Sequence, residues 1–143
     1  MLDTRIFPPE YRGPYPHMFP RDIEIWERFL DKHGSIYDGF QYDVICGKSY
    51  KQFPRWEPEY QKDAEVLSRL RIDALGFQPE QLHIIEVKPR LNPASLGQIM
   101  VYREHFLTDY KPSLPVRMVI VAGEGDKNVE DLASKQGIIF VKV

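Results

Sequence analysis

Apolar residues recur along this chain with two different periods. From Arg21 they follow three- and four-residue steps through Ile23, Trp26, Phe29 and Leu30, which predicts an amphipathic helix with Gly34 just past its end as the C′ residue. Around Gly39 to Cys46 the period drops to two. Phe40, Tyr42 and Val44 alternate with Gln41 and Asp43, the pattern of a strand. Arg71 to Phe77 and Leu82 to Lys88 read as two more strands joined by a turn at Gln78 to Gln81. Asn92 followed by Pro93 supplies an N-cap and an N1 residue, and predicts a helix running to about Thr108. Val116 to Ala122 is short and nearly all apolar, as a buried strand is. Residues 127–136 predict a surface helix ended by Gly137, and Ile138 to Val143 a closing strand. The order is one helix, three strands, then helix, strand, helix, strand. Two β–α–β crossovers make part of the sheet parallel and put helices on both faces, an α/β fold with a mixed central sheet.

Residues 1–20 break the periodic pattern. Five of the 12 prolines fall there (Pro8, Pro9, Pro14, Pro16, Pro20), interleaved with Phe7, Tyr11, Tyr15 and Phe19. Proline at that density prevents helix and disfavours a central strand, so we expect an extended arm lying on a surface, its own core or a partner subunit's. The remainder, 21–143, is one domain of ordinary size. The apolar fraction of 43% is that of a globular protein, and no apolar run reaches membrane-spanning length. The single cysteine, Cys46, leaves no intramolecular disulfide and no cysteine-based zinc cluster. With no leader-like opening, a reducing cytoplasm is the expected compartment.

The chemistry concentrates in RIDALGFQPEQLHIIEVKPR, residues 71–90. On a strand, side chains two apart share a face, so Glu86 and Lys88 point one way and Val87 the other. A symmetric turn centred between Pro79 and Glu80 pairs Phe77 with Leu82 and carries Asp73 opposite Glu86. Their Cβ atoms would then lie roughly 4.5–5.5 Å apart on one face. Two such carboxylates repel, and burial adds a desolvation cost. A hard divalent cation held between them, such as Mg²⁺, relieves both. Lys88 would stand an ammonium beside it. Metal, activated water and ammonium are what phosphodiester hydrolysis requires.

Asp73 followed by Glu86-Val87-Lys88 at the end of an apolar strand resembles the D…ExK signature of the PD-(D/E)XK nuclease superfamily, in which the proline before the aspartate is often absent; here Ile72 precedes Asp73. Gln98 and Tyr102, within GQIMVYREHF, resemble the QxxxY motif of RecB-like nucleases. Glu27-Arg28-Phe29-Leu30 resembles the first-helix glutamate motif of Holliday-junction-resolvase-like members. The resemblance covers residues 22–143 and implies a restriction-endonuclease-like αβββαβ core. It implies a Mg²⁺-dependent DNA nuclease, with Mn²⁺ as a substitute, in which Asp73, Glu86 and Lys88 are catalytic. Glu27, Asp73, Glu86 and the Val87 carbonyl would hold the metal, Gln98 and Tyr102 would contact the DNA backbone or support the metal site, and Arg90 would bind substrate. Glu27 sits beside the apolar stripe near Ile23 and Leu30, and an ordinary solvated glutamate is an equally good reading of it. Ser95 and His105 share the helix face of Gln98 and Tyr102, opposite Leu96, Ile99, Met100, Phe106 and Leu107.

Charge tempers the DNA reading. Nineteen basic against 21 acidic residues leave a formal net charge of -2, so binding would rest on a local patch. Lys48, Lys51, Arg55, Lys62, Arg69 and Arg71, with Tyr50, Phe53 and Trp56, offer such a patch, but interspersed acids make a mixed surface an equal reading. Gly123-Glu124-Gly125 lacks the third glycine of a dinucleotide fingerprint. Two other functions stay open: a nuclease fold kept for binding or structure alone, and a subunit active only inside a recombination, repair, transposition or viral assembly. A homodimer belongs with the latter. Whether cutting is internal or from ends, and whether RNA is also a substrate, the sequence leaves open.

Overall fold

The computed structural model describes residues 5–49, 54–61 and 69–143. A helix, α1 (Pro20–His33), is followed by β1 (Gly39–Cys46), β2 (Leu70–Phe77) and β3 (Leu82–Arg90). Then come α2 (Pro93–Tyr110), β4 (Val116–Glu124), α3 (Lys127–Lys135) and β5 (Ile138–Lys142). The five strands form one sheet in sequence order. β1–β2 and β2–β3 pair antiparallel, β3–β4 and β4–β5 parallel, so the sheet is mixed as the crossovers require.

Each face carries its own core. On one, α1 buries Ile25, Trp26, Phe29 and Leu30 against Phe40, Tyr42, Ile85 and Val121. On the other, α2 buries Leu96, Ile99 and Phe106, and α3 buries Val129 and Ala133, against Ile72, Ile84 and Ile120. Each Val, Leu, Ile and Phe among them, taken out of water, contributes about 1.5–3 kcal/mol.

Three local expectations change. The α1 stripe is rotated from the one the spacing predicts: Ile25 is buried, whereas Ile23 is only partly so. Both are apolar, and packing against the sheet decides between them. Gly34 stays right-handed at φ -59 and leads into a 3₁₀ turn over Gly34–Ile36, so it is not a left-handed C′ residue. Met100, expected on the apolar side of α2, is 40% exposed. Gly137, by contrast, does take the left-handed φ of +72 that a helix-ending glycine supplies.

The arm lies on its own core. Phe7 and Phe40 exchange backbone hydrogen bonds at 2.7 and 2.8 Å, and Phe7, Tyr11 and Tyr15 pack as rings on Tyr42. Tyr15 is buried, its hydroxyl donating to Glu27 Oε2 at 2.9 Å. Arg12 ties the arm to α1 again through Asp31 at 2.9 Å. Pro20 is already the first residue of the helix.

One irregularity positions the site. β1 and β2 keep constant register from Gly39↔Phe77 to Cys46↔Leu70, yet between Tyr42↔Ala74 and Val44↔Ile72 the pair Asp43–Asp73 is skipped. Asp43 has φ +56, a conformation that aspartate tolerates better than most residues. Its carboxylate is gripped by the Arg71 guanidinium through Nε at 2.7 Å and through Nη2. The two strands exchange faces here. Tyr42 and Ala74 pack with α1, while Val44 and Ile72, two residues away, pack with α2.

Candidate active site

The β2–β3 ladder runs through Phe77↔Leu82, Gly76↔His83, Leu75↔Ile84 and Ala74↔Ile85, the register of the symmetric turn, and then stops. The next position holds Asp73 and Glu86. Here side chains replace the ladder: the Asp73 N–H donates to Glu86 Oε1 at 3.3 Å, and the Val87 N–H donates to Asp73 Oδ2 at 2.8 Å. One oxygen of each acid is thus taken by backbone. Of the others, Glu86 Oε2 lies 3.9 Å from Lys88 Nζ, close enough for attraction but too far for a hydrogen bond.

Burial pushes the Asp73 carboxyl above its ordinary range, against the pull of the Val87 N–H and the Lys88 ammonium. Burial pushes Glu86 further up, and the Asp73 charge adds to it. Because the Asp73 charge raises Glu86, protonation of one acid in the absence of a metal relieves their repulsion.

α2 supplies the opposite wall. Its start is fixed by a reciprocal capping box, in which Asn92 Oδ1 accepts from the Ser95 N–H and Ser95 Oγ accepts from the Asn92 N–H. This aims Gln98 and Tyr102 at the carboxylates, with Gln98 Nε2 donating to the Tyr102 hydroxyl at 2.7 Å. Burial, with smaller contributions from Glu86 and Asp73, pushes the Tyr102 phenol up to about 12, so it remains a neutral hydrogen-bonding group.

A cavity of about 340 Å³ unites these groups: Asp73, Glu86, Val87, Lys88, Gln98 and Tyr102 all line it. Glu27 and Arg90 do not. Glu27 turns to the arm and accepts from Tyr15, while Arg90 is exposed at the end of β3. The first-helix acid that lines the cavity is Asp22, placed one turn above Ile25 and Trp26 on the sheet-facing side. Its charge is one of those raising the Asp73 pKa. Sequence reasoning missed it because Ile23 stood in for Ile25 in the stripe. Arg71, expected only as part of a basic patch, lines the cavity as well, and sequence reasoning missed three residues from the arm and helix start, His17, Phe19 and Arg21. Of the basic and aromatic patch, Tyr50, Lys51, Phe53 and Lys62 lie outside the described residues. Cys46 is buried, with its thiol pushed up to about 12 by burial.

Among the described residues, no three His, Cys, Asp or Glu side chains cluster closely enough to form a metal cage. The donors at hand are two carboxylates facing an open cavity that Val87 also lines. That set fits Mg²⁺, which keeps several waters and takes only one or two carboxylates from the protein. It does not fit zinc, which favours nitrogen and sulfur ligands.

Among the described residues no helix is long and apolar enough to cross a membrane. No protein-family model and no curated protein sequence matches the chain. Solved structures do. The EndoMS–double-stranded DNA complex aligns at a TM-score of 0.50 and 16% identity, over 92% of this chain and 48% of that one. A repair endonuclease from Pyrococcus abyssi aligns at 0.49 and 16%, over 84% of this chain and 46% of that one. The chain therefore spans about half the length of these neighbours. At such identity the likeness establishes architecture alone: a mixed five-stranded sheet with flanking helices, the α/β arrangement the sequence predicts.

Proposed function

We propose that the chain is a divalent-cation-dependent nuclease that hydrolyses phosphodiester bonds in DNA. One observation carries this reading: two carboxylates, the buried Glu86 and the half-buried Asp73, meet where the hairpin ladder ends, with Lys88 in the same cavity. A fold gains nothing in stability from apposing two acids largely withdrawn from water. Asp73, Glu86 and the Val87 carbonyl would hold Mg²⁺ or Mn²⁺. When bound, such a cation polarises the phosphate and makes a coordinated water acidic enough to attack near neutral pH. Lys88 orients that water and offsets the negative charge that grows on the phosphate. Gln98 and Tyr102, as neutral donors, hold the phosphate from the α2 side. Asp22 adds negative potential at the cavity wall, which favours a cation there. Arg90, two residues past Lys88, contacts the backbone further along the strand, and Glu27 seats the arm.

The test is incubation of the purified protein with linear, circular, single-stranded and branched DNA in Mg²⁺, Mn²⁺ or EDTA. Cleavage that needs either metal and stops in EDTA is the expected result. Undiminished cleavage in EDTA overturns the metal mechanism, and no cleavage under any condition removes support for an autonomous enzyme. A second reading, a nuclease-fold module active only within a larger assembly, is favoured by one specific fact: the neighbour of the same fold is about twice as long.

A further inference from the structure

The cavity has a rim residue that neither the fold nor the proposed hydrolysis uses. Phe19 is 73% exposed, more than any other large apolar side chain among the described residues. It occupies the N-cap position of α1 and its side chain makes no capping hydrogen bond, where Ser, Thr, Asp or Asn would stabilise the helix better. Yet it lines the same cavity as Asp73, Glu86 and Lys88. Its surroundings hold it there. Pro16 and Pro20 bracket the segment, His17 takes a left-handed φ of +70, and the upstream arm is fixed to α1 through Tyr15–Glu27 and Arg12–Asp31.

An exposed ring fixed beside ionic groups is poorly suited to a protein partner, because interface cores are depleted of charge. Arg21, Asp22 and Lys88 all line this cavity. The combination of an aromatic face and flanking cations is what a nucleotide recognises, with the base stacking and the phosphate paired. In a closed duplex both faces of each base are already covered by stacking neighbours. Only an unpaired base offers a face to Phe19.

Resting on the nuclease reading above, we propose that Phe19 is a stacking platform for an unpaired nucleobase next to the scissile phosphate, with Arg21 pairing a flanking phosphate. The substrate class is then DNA that is single-stranded or locally opened at the cut, not intact duplex.

Binding tests this independently of cleavage. Anisotropy in Ca²⁺ would compare a labelled single strand, a duplex with a short unpaired bubble and the fully paired duplex. A 2-aminopurine placed in the single strand reports stacking through quenching. Wild type should prefer the unpaired forms by about tenfold, about 1.4 kcal/mol, and quench the probe. Phe19→Ala should lose both effects, Phe19→Trp should keep them, and Leu132→Ala, an exposed apolar change on α3, should match wild type. Equal affinity for paired and unpaired DNA, or a Phe19→Ala variant that retains preference and quenching, overturns the proposal. So does gel filtration showing a dimer that Phe19→Ala dissociates, since Phe19 would then serve a protein contact. Metal-dependent cutting by a protein whose preference ignores Phe19 sinks this inference alone. Phe19-dependent binding with no cutting sinks the nuclease reading alone.

Discussion

At the turn end of the β2–β3 hairpin, Phe77↔Leu82 and Gly76↔His83 pair in full register, and the Gln78 N–H closes the turn on the Gln81 carbonyl at 3.1 Å. At the other end, Asp73 and Glu86 occupy the next position of the same register, and the strands stop pairing. The backbone donors there are not left bare, since each carboxylate accepts one N–H. The two ends differ in what satisfies the backbone. At the turn it is other backbone, which makes a rigid support. At the site it is carboxylate, which keeps a second oxygen for something else. Substitutions at the two ends should therefore separate chemistry from stability.

The largest effect belongs to the site end. Asp73→Asn, Glu86→Gln and Lys88→Ala should each lower Mg²⁺-dependent cleavage by about a hundredfold or more while the proteins stay folded, measured as initial rates on the best DNA substrate. An amide still accepts the Val87 or Asp73 N–H, so lost activity would report charge and not a broken hairpin. Three variants cutting at wild-type rates would place the chemistry elsewhere. Next comes metal. At a hundredfold excess over Kd, a cation bound only by the folded state stabilises it by about 2.7 kcal/mol, or about 5–10 °C in melting temperature for a domain of this size. Asp73→Asn should erase that gain in thermal melts at constant ionic strength.

The turn end should respond in the opposite sense. A Cβ on Gly76 would lie 2.6 Å from Tyr37 Cε1, and Tyr37 is buried with its hydroxyl 2.8 Å from His83 Nδ1. Gly76→Ala should cost about 1–3 kcal/mol through overpacking, seen as a lower melting temperature. Cleavage assayed well below that temperature should stay within about twofold of wild type. The smallest effect is a pH slope. Asp73 and Glu86 hold protons more tightly folded than unfolded, so without metal their contribution to stability is full in acid. It is lost as pH rises from about 4 through the raised folded values. Chelated wild type should thus lose stability over that range, and Asp73→Asn should lose less. A steeper slope in the variant would contradict the mutual repulsion of the two acids.

The hairpin was legible because its information is local. A symmetric turn sets the register, and period two sets the faces, so Asp73, Glu86 and Lys88 could be placed together from spacing alone. Gln98 and Tyr102 followed from a well-marked helix start and an i, i+4 step. Glu27 and Asp22 show where that reasoning ends. Choosing between them requires the rotation of α1 about its axis, and Ile23 and Ile25 are equally apolar. What fixes the rotation is packing on the sheet and the Tyr15–Glu27 bond, a contact between residues 12 apart that no periodic template contains. The skipped pair at Asp43 was hidden for a related reason: alternation assumes a strand that never changes face.

That change of face also limits how the middle of the β1–β2 ribbon can vary. Because the strands pack into one core on one side of the switch and into the other core beyond it, nearly all of their apolar side chains are interior. From Gln41 to Ala74 along the paired strands, the positions near the switch that still reach solvent are few, and Asp43, Arg71 and Asp73 are among them. Arg71 and Asp73 line the cavity, and Asp43 anchors Arg71. In this part of the chain, the freedom to mutate without unfolding falls largely on residues at or beside the site. Sequence drift here would retune the pocket before it wore down the scaffold, which makes the ribbon a place where specificity can diverge while the architecture persists.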